Sequence, residues 1–435
     1  MSEKFDVIVV GAGPAGISCS FELAKAGLKV ALIERGEYPG AKNVMGGIIY
    51  RNAVEEMVPN FWEEKGVVER PITEQRYMIL DERSGVTIGH KDIGWAEPPY
   101  NCFSVMRSKF DQWFSGKAVE QGVLLINETV VTDCIIENNK VVGIRTDRPD
   151  GELRCDVVVV ADGVNSLLAK QLGMRDKIKP SHVALAAMEI IKLDQKTVED
   201  RFGLEGPNQG CTIELFGEST KSIMGTAFIY SNKDSVSIGV GTLLNGMIQH
   251  RLRPYELLDA LKSHPAVRHY IQGGETAEYL AHLIPEGGYN YIPELVGDGV
   301  VLVGDAAGLV NGIHREGSNL AMKSGRLAAE TIIQAKERED YSKSALSPYR
   351  EKLMSSFVGQ DLKKYKDTAH YLDENPRYFE NYLPMMNMAL RELFTVDGQT
   401  KWQKQKNIME RAGLNSFGGK IKLAKDLYRV WKVMK

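Results

Sequence analysis

Gly11, Gly13 and Gly16 stand at the spacing G-x-G-x-x-G within Gly11-Ala12-Gly13-Pro14-Ala15-Gly16, and Glu34 follows a short way downstream. Between a strand and a helix the three glycines have separate tasks. The first permits a tight turn, the second lets backbone approach a pyrophosphate, and the third lets helix and strand pack closely. The helix then offers free N–H groups and its positive dipole end to phosphate. A carboxylate at Glu34 accepts hydrogen bonds from a ribose diol and repels a 2′-phosphate. Without the flanking elements the same residues are a glycine-rich turn and a surface glutamate, so those elements decide.

A second cluster, Gly304-Asp305-Ala306-Ala307-Gly308, follows an apolar run and precedes Glu316-Gly317-Ser318-Asn319-Leu320-Ala321-Met322-Lys323. An aspartate so placed can hold the ribityl and diphosphate end of a flavin, while the helix aims its N-terminus at the ring and favours the anionic reduced form. Alone, it reads equally as an N-cap or turn aspartate. The five cysteines, at 19, 102, 134, 155 and 211, form no C-x-x-C pair. Neither a zinc site nor a cysteine-ligated iron–sulfur cluster is expected.

The elements that must position these residues are visible. Residues 5–10 are a short β-branched apolar run suited to a buried parallel strand, 17–26 carry apolar positions at helical spacing, Gly27 stops them, and 28–33 form a second strand ending at Glu34. Further strand runs at 155–161, before Asp162-Gly163, and at 299–303, before Gly304-Asp305, imply one sheet assembled from distant segments. Segments 212–216, 223–230 and 235–241 predict an inserted antiparallel sheet with one wet face. From about 317 onward the pattern is helical. In the tail, Ala424, Leu427, Trp431 and Met434 share one helical stripe, with Lys422, Lys425, Arg429, Lys432 and Lys435 around it.

The glycine fingerprint, Val105-Met106-Arg107-Ser108-Lys109-Phe110-Asp111-Gln112-Trp113, Ala161-Asp162-Gly163 and Gly304-Asp305-Ala306-Ala307-Gly308 together resemble the glutathione-reductase-type flavoproteins of the para-hydroxybenzoate hydroxylase fold. Ala281-His282-Leu283-Ile284-Pro285-Glu286-Gly287-Gly288 and Ala321-Met322-Lys323-Ser324-Gly325 are similar to the FixC proteins and the electron-transfer flavoprotein:quinone oxidoreductases. The resemblance covers essentially the whole chain. It implies an α/β FAD-binding Rossmann domain over 1–180 and 276–345, an inserted sheet domain on the quinone or substrate side over 181–275, and a helical C-terminal region over 346–435.

The same resemblance implies FAD as cofactor and assigns its site residue by residue. Arg107 should reach the phosphate or ribityl region, Asp162 and Gly163 should turn beside the diphosphate, and Gly46 and Gly47, in Lys42-Asn43-Val44-Met45-Gly46-Gly47, should pass over the ring where side chains would clash. Ala12, Pro14, Ala15, Arg35, Val131, Gly317 and Asn319 complete the set. His314 and Arg315 fall close enough to influence the ring, although a structural histidine is as good a reading of the first. Quinone reduction also needs protons, and His282, Tyr289 and Glu286 are candidates that sequence does not rank.

The fused quinone oxidoreductases carry a segment with four cysteines for a [4Fe–4S] cluster, whereas no cysteine follows Cys211 here. The resemblance therefore points to FixC, which works with a separate ferredoxin-like subunit, FixX, beside the FixA and FixB flavoprotein pair and a membrane quinone. The implied role is passage of electrons from the electron-transfer flavoprotein to quinone, within an electron-bifurcating system that oxidises NADH. A flavin monooxygenase or a geranylgeranyl-type reductase shares most of these motifs. A flavin-bearing assembly scaffold is the reading from another class.

Composition bounds the rest. The 435 residues are 43% hydrophobic and 26% charged, an ordinary globular composition, and a length that normally divides into more than one core. A net charge of −3 supplies no pull on nucleic acid. No apolar run reaches the ~18 residues of a spanning helix. With an odd cysteine count and no secretory pattern, the expected location is the cytoplasm, and the resemblance implies peripheral association at the cytoplasmic membrane.

Overall fold

The computed structural model describes residues 4–43 and 46–435. They form two compact units. One comprises Met1–Pro71, Glu97–Ala184 and His282–Lys363; the other comprises Ile72–Ala96, Leu185–Ala281 and Lys364–Lys435.

The first unit is built on the sheet expected from distant segments. Its central strands run in the order Val300–Leu302, Glu152–Val160, Phe5–Val10, Val30–Ile33, Leu124–Ile126. All four pairings are parallel, with Val7 opposite both Val30 and Val157, and Val160 opposite Leu302. Val7 to Val10 and Val157 to Val160 are buried on both faces, which is why they read as continuous apolar runs. The strands Val131–Glu137 and Lys140–Thr146 pair antiparallel beside the first half of Glu152–Val160.

Helix Pro14–Lys25 follows the first strand and ends at Ala26, with Gly27 at φ +83° reversing the chain. It lies against the long helix Ser318–Glu337, and the approach is close because Gly325 is a glycine: a Cβ there would collide with the Ala15 carbonyl oxygen. A small antiparallel sheet of Gly46–Tyr50, Cys102–Met106 and Arg70–Pro71 leads into helix Arg107–Glu120. An aromatic group anchors this part of the core, Phe61 meeting Phe103 edge-on at 5.6 Å and Trp113 donating to Glu64 at 2.7 Å. The fully buried rings of Phe61 and Phe103 each contribute about 1.5–3 kcal/mol relative to exposure.

The second unit holds a seven-stranded sheet in the order Glu275–Pro285, Val183–Lys192, Ser235–Leu243, Gly225–Ser231, Cys211–Gly217, Glu74–Leu80, Gly85–Lys91. Its centre is the three segments expected from sequence, antiparallel, with Ile213 opposite Ile229 and Ile229 opposite Ile238. Two details differ from the sequence reading. Ser235–Leu243 is buried on both faces rather than wet on one, and the sheet also takes Glu74–Leu80 and Gly85–Lys91 from far upstream. Gly85–Lys91 is an exposed edge whose only alternating apolar residues are Val86 and Ile88, too short a pattern to mark it.

Helix Leu383–Phe394 packs on Glu74–Leu80, and Asn387 donates to the Ile79 carbonyl at 2.9 Å. The last helix, Phe417–Met434, is held through its buried Asp426, which accepts from Arg377 at 3.0 Å and from Tyr382 at 2.6 Å. Leu427, Tyr428, Trp431 and Met434 remain exposed on the same helix. Residues 364–435 thus cluster with this sheet.

Candidate functional site

The site is built in the first unit where the two glycine motifs meet. Gly11, at φ +106°, lies so close to the next strand that a Cβ would strike the Ala161 carbonyl oxygen, which brings Asp162 beside the loop. A Cβ on Gly16 would strike the Gly11 carbonyl oxygen, whereas one on Gly13 would meet nothing within 4 Å. Two of the three glycines are therefore required by the protein itself, and Gly13 alone keeps clear a space that the protein does not fill. Gly13 is also the N-cap of helix Pro14–Lys25 and makes no side-chain cap, so the helix presents bare N–H groups.

Glu34 sits at the rim with both oxygens engaged, accepting from Ala12 N–H at 3.0 Å and Gly36 N–H at 2.7 Å. The backbone around it is tied to the next segment, Thr129 N–H donating to Glu34 O and Glu128 N–H to Gly36 O. Val131 begins a strand two residues on and is half-buried, and Arg35 is exposed. The loop beyond reaches helix Arg107–Glu120 at Gly40, where φ is +90° and a Cβ would lie 2.7 Å from Arg107 O.

Gly304, at φ +60°, would place a Cβ 2.8 Å from the Cβ of Ala15, and its N–H donates to Ser324 Oγ at 2.9 Å. This seats Asp305 at the glycine-loop helix. Burial pushes the Asp305 carboxyl up, against the pull of Arg107 and Arg175. Arg107 itself forks onto Asp111, with Nε and Nη2 each 2.8 Å from a carboxylate oxygen. Burial opposes its charge, but Asp111 and, further off, Asp305 hold its pKa above the usual arginine value. The structure thus commits most of the Arg107 fork to Asp111.

Arg175 carries no sequence signal. Its Nη1 donates to Val164 O at 3.1 Å, Asp305 O at 3.3 Å and Ala306 O at 3.0 Å, clamping the two turns that carry Asp162 and Asp305. Gly163 has φ +79°, and Asp162 Oδ2 accepts from Leu168 N–H at 3.3 Å. The other oxygen, Asp162 Oδ1, is buried and meets no hydrogen-bond partner among the described residues. The same holds for the side-chain oxygens of Asn43, Asn127 and Asn319.

At the far end, Gly317 caps helix Ser318–Glu337 without a side-chain bond, leaving a second bare N-terminus. Asn319 donates to Glu316 at 3.2 Å and keeps its Oδ1 free of a donor. Ser318 Oγ reaches Ile48 O at 3.4 Å, tying this end to the strand of Gly46 and Gly47. A Cβ on Gly47 would meet nothing within 4 Å. Val44 and Met45 lie outside the described residues. Burial, and then Arg107 and Arg35, lower the pKa of His282 from its ordinary value. His314 is exposed, its N–H taken by Asn311 Oδ1 at 3.3 Å. Tyr289 starts a short turn after Gly288.

These features fit a flavin dinucleotide. Bare helix N-termini suit its phosphates, unpaired carbonyl and carboxylate oxygens suit its hydroxyl and N–H donors, and glycines without facing atoms suit a flat ring. Two electrons and a proton are what FAD supplies when bound. The chain's part is to hold it, exclude water and set its potential through the charges around it.

Comparison with known proteins agrees. Residues 6–170 match the FAD dependent oxidoreductase family, and residues 368–435 match the ETF-QO/FixC family C-terminal domain. The chain is 45% identical to Protein FixC of Azotobacter vinelandii over all of both chains. It is 39% identical to Protein FixC of Escherichia coli strain K12, over 98% of each. Among solved structures it is similar to a geranylgeranyl bacteriochlorophyll reductase-like protein from Thermoplasma acidophilum, with a TM-score of 0.73 and 20% identity over 98% of this chain and 99% of that one. It is also similar to the flavin-dependent brominase Bmp2, with a TM-score of 0.66 and 22% identity over 94% and 99%. The structural likenesses show the fold, a para-hydroxybenzoate hydroxylase type of flavoprotein.

The chain is an FAD-dependent oxidoreductase, and Asp305 is the first residue to test. Asp305→Ala is expected to fold normally and to bind FAD one to two decades more weakly, since a hydrogen bond to a charged group is worth about 1.5–3 kcal/mol. FAD titration followed by flavin fluorescence measures it; unchanged affinity removes Asp305 from the site.

Proposed function

We propose that this chain, which belongs to the FixC family, is the FAD-carrying subunit of an electron-transfer flavoprotein complex and passes electrons to a membrane quinone. The observation that carries this reading is kinship over the full length of both chains with Protein FixC. In it, electrons come from an electron-transfer flavoprotein of the FixA and FixB type through a ferredoxin-like FixX-type subunit, within an electron-bifurcating system that oxidises NADH. Gly11 to Gly16, Glu34, Arg107, Asp162, Asp305, Arg175 and the N-terminus at Gly317 hold the flavin. The flavin's potential follows from the balance of the two arginines and the helix ends against Asp162 and Asp305.

Among the described residues no helix is long and apolar enough to cross a membrane. The last helix supports contact from one side. Its exposed Leu427, Tyr428, Trp431 and Met434 accompany six basic residues from Lys420 to Lys435 and a single acid, Asp426, which is buried and paired with Arg377. Apolar side chains together with basic charge, the latter worth about 1 kcal/mol per Lys or Arg near an anionic surface, suit the lipid boundary.

The test uses the FAD-loaded chain, its partner subunits and anionic vesicles containing quinone. Quinol formation is expected, and a Leu427→Glu, Trp431→Glu variant is expected to lose at least tenfold in vesicle affinity, with a salt-sensitive wild-type interaction. Quinone left unreduced by the complete mixture contradicts the acceptor, and vesicle binding unchanged in the variant moves the membrane contact elsewhere.

A further inference from the structure

Beside the cradle stands an acid that flavin binding does not use. Glu286 lies in Pro285-Glu286-Gly287-Gly288, and its carboxyl is seated on Gly312, where a Cβ would collide with Oε2. Gly312 belongs to the loop that joins the Gly304-Asp305 turn to the N-terminus of helix Ser318–Glu337, the two pieces aimed at the flavin. That loop is stiff. Asn311 and Glu316 exchange backbone hydrogen bonds of 2.8 and 3.2 Å, and Asn311 Oδ1 accepts from the N–H groups of Ile313 and His314.

The Glu286 segment is fixed as well, its N–H donating to His182 O at 2.8 Å while Tyr291 packs on Gly287 and on the His182 ring. Burial pushes the Glu286 carboxyl up to about 7, against the pull of Arg315 on the facing loop. The other titratable groups around it are His314 and Glu316 of that loop, His182, and Tyr289 and Tyr291 of the following turn.

We propose that Glu286 is the proton-exchanging group of this site, taking up a proton as negative charge builds on the reduced flavin and releasing it when the electrons leave. The release half rests on quinone being the acceptor. Reducing a quinone to its quinol takes two electrons and two protons. An anionic reduced flavin returns two electrons and one proton, so the second proton must come from elsewhere. Glu286 as the acid supplies it and is left as carboxylate. The single negative charge moves from the flavin to Glu286, and both protons end on the quinol.

The test is a potentiometric titration of the FAD-loaded chain, without quinone, across pH. The slope of midpoint potential against pH counts protons taken up per electron pair. The wild type is expected to take up two protons in a window opening near pH 7 and one below it. Glu286→Gln is expected to take up one throughout. Arg315→Gln, which keeps the acid and removes the charge that opposes its protonation, is expected to move the opening of the window upward and carries the test if the Gln variant does not retain FAD. A proton count identical in wild type and Glu286→Gln, or a window unmoved in Arg315→Gln, overturns the proposal. A second proton that depends on Glu286 in a chain that fails to reduce quinone with its partners present overturns the functional reading and leaves proton uptake by Glu286 standing.

Discussion

Gly16→Val is expected to abolish FAD binding. Its Cβ would collide with the Gly11 carbonyl oxygen and lie 3.2 Å from the Ala161 Cβ, so the turn must open and the start of helix Pro14–Lys25 must shift. The shift reaches Ala15, which meets both Gly304 and Gly325, and so disturbs both halves of the site. Overpacking of this kind costs about 1–3 kcal/mol in stability. Losing several charge-assisted hydrogen bonds, each about 1.5–3 kcal/mol, lowers FAD affinity by more than about three decades. The contrast is Gly13→Ala, whose Cβ meets no protein atom within 4 Å. That variant is expected to keep the wild-type unfolding temperature while binding FAD more weakly. Flavin content after loading, read with thermal unfolding of each chain, tests both. Stoichiometric FAD in Gly16→Val would mean that the loop does not hold the dinucleotide.

Elements that obey one local rule were legible before the structure. The run at 5–10, the glycine loop and the run at 28–33 are contiguous, and each residue's reason lies within a few neighbours. The three central strands of the second sheet were legible for the same reason, because polar turns separate apolar segments. Glu74–Leu80 and Gly85–Lys91 were not, since Glu74–Leu80 reaches its place beside Cys211–Gly217 by a long-range pairing and Gly85–Lys91, paired to Glu74–Leu80, is an exposed edge with few apolar residues. In the site, Asp305 and Asp162 could be found from the turns they occupy. Arg175 could not, because its importance arises only where the turns of Val164 and Asp305 come within reach of one guanidinium. The fork of Arg107 onto Asp111, one helical turn away, follows an i,i+4 spacing that the sequence already carries. Glu286 needed the fold to set it apart from His282 and Tyr289, because burial against Gly312 is what raises its pKa.

Electron delivery separates the electron-relay role from the monooxygenase and reductase roles that share this fold. The chain has one dinucleotide fingerprint, at 11–16, within the residues 6–170 that match the FAD dependent oxidoreductase family. A nicotinamide therefore has no second glycine loop of that type to bind. The decisive measurement is flavin bleaching in the FAD-loaded chain, first with NADH alone and then after adding the electron-transfer flavoprotein and the ferredoxin-like subunit. The predicted result is a flavin that stays oxidised with NADH alone and bleaches rapidly once the partners are present. Bleaching by NADH alone at the rate of the complete mixture would contradict the relay and place the chain with the flavin monooxygenases or reductases.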